Sequence, residues 1–319
     1  MQNITASRDE LIDLIRRTAA PMEPLESSVP ERLQPLPGVR AVLFDIYGTL
    51  LISSSGDIGA ARMHARRGAF QHALEETFGG SRGAFGDERA LTEPEAAAAL
   101  AEKIYFEAIE EMHADKHSAG LAHPEVDIRE VWSRVIAELG MRGKPALPDV
   151  TDAEIEEVAV RFEGLTNPTW PMPEMESTVR AIATEVPVGI VSNAQFFTPL
   201  LFPALVGATL DELGVRPDLC AYSYLAGEAK PSPALFEPVV ATLRRDYGIA
   251  ADEVLYVGND MLNDIWSAGE SGLKSCLFAG DERSLRLRGN EPVAAATTPS
   301  CVVRSLPAVA SILGIGGRA

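Results

Sequence analysis

Polar residues stand where short apolar runs of the chain end, and their types suit the handling of a small anion. Asp45 closes the run 40–45, Ser192 and Asn193 close 187–193, and Asn259, Asp260 and Asp264 follow 254–258. Lys230 lies in a loop ahead of a helix opened by Pro231 and Pro233. Gathered in one crevice, the three carboxylates would repel and raise one another's pKa unless a cation held them. An all-oxygen site with open positions suits magnesium. Lys230 would add a point charge, and the hydroxyls of Thr49 and Ser192, with nearby backbone N–H groups, would bind the oxygens of the anion.

These residues converge only if the runs are neighbouring strands. The first run is short and continuously apolar, as expected of a strand covered on both faces, and the later ones are similarly strand-like. The runs 40–45, 187–193, 220–224, 254–258 and 274–278 alternate with helical patterns near 201–213, 233–246 and 262–271. Strand alternating with helix implies crossover connections, and so an α/β fold with a doubly wound parallel sheet whose chemistry lies at the carboxyl ends of the strands. Between about 53 and 180 the apolar residues instead recur every three or four positions, over 60–78, 92–115, 127–140 and 152–164, which predicts an inserted helical domain. Ahead of the first strand, Ser7 and Glu10 have capping-box spacing and open a helix over 7–20, and a Pro-rich stretch over 21–37 links it to the sheet. A short helix is expected after Ser305, ending at Gly314.

The chain has 319 residues and a formal charge of −18, which argues against nucleic acid as a partner because gripping phosphates needs a basic face. Its 46% hydrophobic and 23% charged residues are ordinary for a globular protein, and its length suits two domains or one with a large insertion. No run approaches the roughly 20 apolar residues of a membrane span, and the start MQNITASRDE has no export signal, so a cytoplasmic location is expected. Cys220, Cys276 and Cys301 form no C-x-x-C pair and read as reduced thiols, mostly buried.

Four strings in chain order resemble the motifs of the haloacid dehalogenase (HAD) superfamily of aspartate-nucleophile hydrolases: Phe44-Asp45-Ile46-Tyr47-Gly48-Thr49-Leu50, Val191-Ser192-Asn193, Lys230-Pro231-Ser232-Pro233-Ala234-Leu235-Phe236, and Val257-Gly258-Asn259-Asp260-Met261-Leu262-Asn263-Asp264. The resemblance implies a Rossmann-like core from 39–52 and 181–319, a helical cap over 53–180, and an N-terminal helix and linker over 1–38 outside the match. It implies that Asp45 is the nucleophile of a covalent aspartyl intermediate. Asp45, the Tyr47 carbonyl, Asp260 and Asp264 would hold Mg2+, while Lys230 would hold Asp45 and the substrate anion. Asn259 competes with Asp260 for the ligand position, and the carboxylate is the better ligand for a hard cation. A cap that closes over the site points to a small anionic substrate, with Thr49, Ser192, Asn193 and cap residue Arg66 binding it.

One departure bears on the reaction. Phosphatases of the superfamily carry a second aspartate two residues after the nucleophile, which protonates the leaving alcohol; Tyr47 stands there. Acid–base help of this kind is worth about 10²–10⁴ in rate. A halide leaves without a proton, and the superfamily's metal-free dehalogenases have tyrosine at this position. They also have a tyrosine six residues after the lysine, where this chain has Phe236. The paired Asp260 and Asp264 put a Mg2+-dependent phosphomonoesterase first, with a 2-haloacid dehalogenase, and a catalytically weakened binding protein, as alternatives. The missing acid is sought in the cap cluster Arg62, His64, Arg66 and Arg67, where His64 has a suitable pKa. Asp264 capping its own helix, His113 and His117 one turn apart as metal ligands without a third, and Phe196 and Phe197 at the substrate entrance are further readings the residues leave open.

Overall fold

The computed structural model describes residues 2–54, 63–79, 94–142 and 150–315. Helix α1 (Gln2–Thr18) leads through an extended segment to β1 (Ala41–Phe44) and β2 (Leu51–Ser53). Four helices follow, α2 (Met63–Phe78), α3 (Pro94–Ser118), α4 (Ile128–Arg142) and α5 (Asp152–Thr166), then β3 (Thr169–Pro171) and α6 (Met175–Ala183). The rest of the chain alternates: β4 (Val188–Ser192), α7 (Leu201–Leu205), β5 (Val215–Tyr222), α8 (Ser223–Ala226), α9 (Glu237–Thr242), β6 (Val254–Gly258), α10 (Ser267–Glu270), β7 (Lys274–Phe278), α11 (Pro292–Ala296), β8 (Cys301–Val303) and α12 (Leu306–Ile312).

The expected sheet is present, with six parallel strands in the order β5-β4-β1-β6-β7-β8. Chain order runs outward from β1 in both directions, so β1 lies at the switch point between β4 and β6, where a crevice opens beyond the strand ends. Every residue of β1, β4 and β6 is buried, and alternate side chains feed separate cores. Val42 and Phe44 pack in a cluster that includes α6 and α12, whereas Leu43 and Tyr256 pack with Phe236, Val239 and Leu243 around α9.

Helices α2 to α5 form the cap around an aromatic nucleus of Phe70, Tyr105, Trp132 and Phe162, with Phe70 and Phe162 centroids 4.4 Å apart. Thr151 and Glu154 cap α5 reciprocally. The antiparallel ribbon β2–β3 joins cap to sheet, pairing Leu51 with Pro171 and Ser53 with Thr169. Helix α6 packs on β4 and α12, so the boundary expected at residue 180 falls inside a helix of the sheet layer.

Other differences from the sequence reading have local causes. The helix expected at 7–20 already runs from Gln2, so Ser7 is not its cap. The 201–213 helix stops at Leu205, just before Gly207 in the left-handed region (φ 80°). Strand β5 begins at Val215, ahead of Cys220, with exposed residues in its first half. Segments 233–246 and 262–271 are helical but composite, each containing a π turn. Strands β2, β3 and β8 have three residues each, too few to show a period. The Pro-rich linker runs antiparallel to β8, with Arg32 N–H donating to Val302 O (2.8 Å) and Val302 N–H to Arg32 O (3.1 Å), and so covers the sheet edge. Among the described residues no helix is long and apolar enough to cross a membrane.

Helix α1 touches α5 of the cap and α7 of the core, burying Leu11, Leu14 and Ile15, and Arg16 donates to the carbonyls of Ala204 and Pro203. It therefore ties the two bodies together from outside the motifs. Leu14→Ala is expected to cost about 3 kcal/mol in denaturant unfolding, against less than about 0.5 for Arg17→Gln on the exposed face. Equal, small effects would mean that α1 is not part of the cooperative unit.

Candidate active site

Strand ends and two tight approaches build the site. Asp45 directly follows β1, and its backbone N–H donates to Val257 O at 2.9 Å, which fixes it level with the end of β6. Gly48 has φ 80°, and any side chain there would collide with Asn259 and Ser284. Gly258 likewise leaves the space that Asp264 fills, allowing Asp260 N–H to donate to Asp264 Oδ2 at 2.8 Å.

The Lys230 ammonium is the centre. It donates to Asp45 Oδ1 at 2.8 Å, Asp264 Oδ1 at 2.6 Å and the Tyr256 hydroxyl at 2.8 Å, and that hydroxyl donates in turn to Val191 O at 2.7 Å. Side-chain exposure is 3% for Lys230, 9% for Asp45 and 2% for Asp264. Burial works against the lysine charge, but Asp264 and then Asp45 outweigh it and raise its pKa above the ordinary value. Burial pushes Asp264 up to about 6, although Lys230 pulls the other way. Asn193 fixes the lysine from behind: its Oδ1 accepts from Lys230 N–H (2.7 Å) and its Nδ2 donates to Lys230 O (3.1 Å). Ser192 Oγ donates to Asp45 Oδ1 at 2.9 Å. Ser192 is fully buried, so its contact is with Asp45.

Asp260 is engaged differently. Arg288 grips it through Nε and Nη2, the shortest contact being 2.6 Å, and its Oδ1 also accepts from Leu262 and Asn263 N–H as the cap of the following helical turn. Asp260, and not Asp264, is thus the helix cap. Asn259 Nδ2 donates to Ser284 O at 2.7 Å, and its Oδ1 accepts from the buried Thr49 hydroxyl at 3.3 Å. Thr49 therefore supports Asn259, where an anion contact was expected.

The arrangement does not fit the magnesium expected from the sequence. Mg2+ needs near-octahedral oxygen donors. The ammonium lies between Asp45 and Asp264, a guanidinium covers Asp260, and among the described residues no three acidic, His or Cys side chains gather as a metal site.

A cavity of about 320 Å3 separates cap from core. Its core wall carries Asp45, Tyr47, Asn193, Gln195, Lys230, Asp260 and Asp264, and its cap wall Tyr105, Phe106, Ile109, His113, Glu125, Val126 and Ile128. The loop between α3 and α4 is tied to the core: Gln195 Nε2 donates to Val126 O (2.9 Å), Ile128 N–H to Gln195 Oε1 (3.0 Å), and Ser223 Oγ to Glu125 Oε2 (2.9 Å). Burial raises the Glu125 pKa.

The Tyr47 hydroxyl shares a hydrogen bond with Thr198 Oγ1 at 2.9 Å. Burial, and then the charge of Glu163, hold its pKa well above the ordinary value. Tyr47 and Asn167 also face a second, smaller cavity closed by Ile15 and Thr18 of α1, by Ala19 just after it, and by Glu163.

Sequence reasoning missed Tyr256, Arg288, Gln195 and Glu163. Only Tyr256 carried a signal, because a phenol in an otherwise apolar strand needs a hydrogen-bond partner. Of the predicted cap cluster only the Arg67 side chain is described, and it does not line the cavity. Arg62 lies outside the described residues, as do the side chains of His64 and Arg66, while Arg67 is exposed and pairs with Glu102 at 3.2 Å. Among the described residues His113 and His117 share no metal site: His113 lines the cavity, and His117 Nδ1 meets Leu121 O at 2.9 Å. Phe197 is buried and faces the second cavity, and Phe196 lies under the Arg129 guanidinium.

A hydrolase family described as haloacid dehalogenase-like matches residues 39–272. No curated protein sequence matches the chain. Among solved structures, a 2-haloacid dehalogenase from Pseudomonas syringae pv. Tomato DC3000 superposes with TM-score 0.53 at 18% identity, covering 86% of this chain and 98% of that one. The HAD-hydrolase YfnB from Bacillus subtilis, bound to magnesium, has TM-score 0.43 at 17% identity, covering 86% and 99%. The L-2-haloacid dehalogenase from Xanthobacter autotrophicus has TM-score 0.43 at 16% identity, covering 88% and 100%. The first of these likenesses is one of fold.

Burial pushes Glu163 up to about 7, with Asn167 Nδ2, 3.0 Å from Oε1, pulling it down. The native state therefore keeps a proton that the unfolded chain gives up from about pH 4.5, and stability falls as pH rises through about 7. Glu163→Gln is expected to flatten this fall and to be more stable than wild type at pH 8 by on the order of 2 kcal/mol. Parallel pH profiles for the two proteins would refute it.

Proposed function

The chain belongs to the haloacid dehalogenase-like hydrolase family, and we propose that it displaces halide from a small 2-haloalkanoate by attack of Asp45 on carbon, without a metal ion. The phosphomonoesterase reading, first on the sequence, gives way to its alternative. The observation that carries the change is the Arg288 clamp on Asp260, since the fourth-motif carboxylates were the main argument for a metal-bound phosphoryl group. Tyr47 supports it: a phenol held on Thr198 and pushed far above its ordinary pKa is a poor proton donor, and a halide needs none. The name of the Pseudomonas syringae protein prints the same chemistry; here the reading rests on this chain's own side chains.

In the first step an Asp45 oxygen forms a bond to C2 of the haloacid, and the carbon–halogen bond breaks with its electron pair leaving on the halide. Lys230 neutralises the carboxylate before attack and the oxyanion that develops when water adds to the Asp45 ester. Asp264, on the same ammonium, is the group we assign to take the proton of that water. Collapse breaks the bond between the Asp45 carbonyl carbon and the substrate oxygen, that oxygen takes the proton held by Asp264, and the free Asp45 carboxylate and the 2-hydroxyacid result. The cap shields the ester from bulk water.

The test is chloride release from 2-chloropropanoate in the presence of a chelator. Wild type is expected to release it, Asp45→Asn to lose at least about 10³-fold in kcat, and Tyr47→Phe to stay within about threefold because no proton passes through that hydroxyl. In a single turnover in H2-18O, label should enter the Asp45 carboxylate. Phosphate release that depends on Mg2+, with no halide from any haloacid tried, would restore the phosphomonoesterase.

A further inference from the structure

We propose that His113 of α3 binds the substrate carboxylate, its Nε2 donating a hydrogen bond from the cap wall of the cavity whose core wall carries Asp45 and Lys230. The inference rests on the haloacid reading and names the residue that would recognise the acid end. Tyr105, Phe106, Ile109 and His113 recur at helical spacing and all line the cavity, so one stripe of α3 forms its roof. Three members of the stripe offer mainly ring and hydrocarbon surface. His113 ends it with a ring nitrogen.

That nitrogen is what singles the residue out. Among the described residues, the buried side-chain polar atoms without a hydrogen-bond partner belong to Thr77, His113, Trp132, Ser267, Asp281 and Arg283, and of these residues only His113 lines the cavity. The charged groups of the core wall are engaged with one another, and Glu125 accepts from Val126 N–H and Ser223 Oγ, both at 2.9 Å. A shielded, unpartnered nitrogen at a cavity wall is explained if the ligand completes it.

Charges of both signs flank it on α3, with Glu110, Glu111 and Asp115 on the acidic side. Lys116 and His117 stand on the next turn of the same helix. Burial first, then these two groups, lowers the His113 pKa, favouring the neutral ring, which can donate without placing a second charge in the cavity. Carboxylate on His113 would leave a short alkyl chain against Phe106 and Ile109, with C2 turned toward the core wall.

Two substitutions separate the roles: His113→Leu removes the donor, and His113→Gln keeps an N–H at similar reach. The probe is butanoate, which has no leaving group, titrated calorimetrically, beside steady-state kinetics on 2-chlorobutanoate. His113→Leu is expected to raise both the butanoate Kd and the KM by about tenfold, as one lost hydrogen bond to a charged group would, with kcat within about threefold and His113→Gln near wild type. An unchanged Kd in His113→Leu, or no butanoate binding by wild type, overturns the assignment. Halide release with an unaltered His113→Leu protein would sink this inference and leave the haloacid reading standing. Butanoate binding that needs His113, in a protein that releases no halide, would do the reverse.

Discussion

Two carboxylates share one ammonium in a place from which water is nearly excluded. Bringing such charges out of water costs several kcal/mol per ion, and the arrangement survives only where geometry and further hydrogen bonds make up the loss. Every nearby feature serves that requirement. The Tyr256 hydroxyl accepts the third ammonium proton and passes its own to Val191 O. Asn193 holds the lysine backbone on both sides, and Ser192 gives Asp45 a hydroxyl donor. These contacts require β4, β1 and β6 to end side by side, which the switch in chain direction at β1 provides. The fold is thus constrained by the need to keep one buried lysine paired.

Asp260 adds a third negative group beside this pair, and crowding of that kind is the argument for a divalent ion. The chain resolves it with its own Arg288, a residue 28 positions downstream that sits in the left-handed region (φ 49°). A non-glycine residue held there carries backbone strain, which persists where surrounding contacts fix it. The neighbouring backbone is fixed by Met261 N–H on Arg286 O (2.8 Å) and Arg286 N–H on Asn259 O (3.0 Å). A guanidinium fork covers a carboxylate at two points, as an ammonium or a hydrated ion does not.

The central sheet was legible because β1, β4 and β6, covered on both faces, are written as mostly apolar runs, and Asp45, Ser192, Asn259 and Asp260 stand at or just after their ends. Asp45, Lys230 and Asp264 meet as the spacing implied, since a parallel sheet leaves strand ends little freedom. What escaped the reading depends on side-chain direction or on distant segments. Thr49 and Asp260 are of the right type and near the right place, yet one turns to Asn259 and the other to Arg288. No local pattern marks Arg288 as a partner of Asp260. His113 stands among the charged Glu110, Glu111 and Asp115 in sequence, which hides it; the period of α3 nevertheless puts it in line with Tyr105, Phe106 and Ile109.

The polarity of the cavity bears on the substrate independently of the metal. A phosphate monoester brings about two negative charges and three strong acceptor oxygens, and sites for it gather several cationic or N–H donors. Here one ammonium is already committed to two carboxylates, one guanidinium faces a third, and the described cap wall contributes Tyr105, Phe106, Ile109, Val126 and Ile128, with one imidazole and the Glu125 carboxylate, which is occupied by Val126 N–H and Ser223 Oγ. The proposed haloacid, mostly hydrocarbon with one negative end, suits the apolar part of this surface. Tyr47 lines both this cavity and the smaller one that α1 helps to close, and keeps its hydroxyl on Thr198. Displacement at carbon needs what remains: an anionic oxygen, a cation to steady it, and a departing group that carries its own charge away.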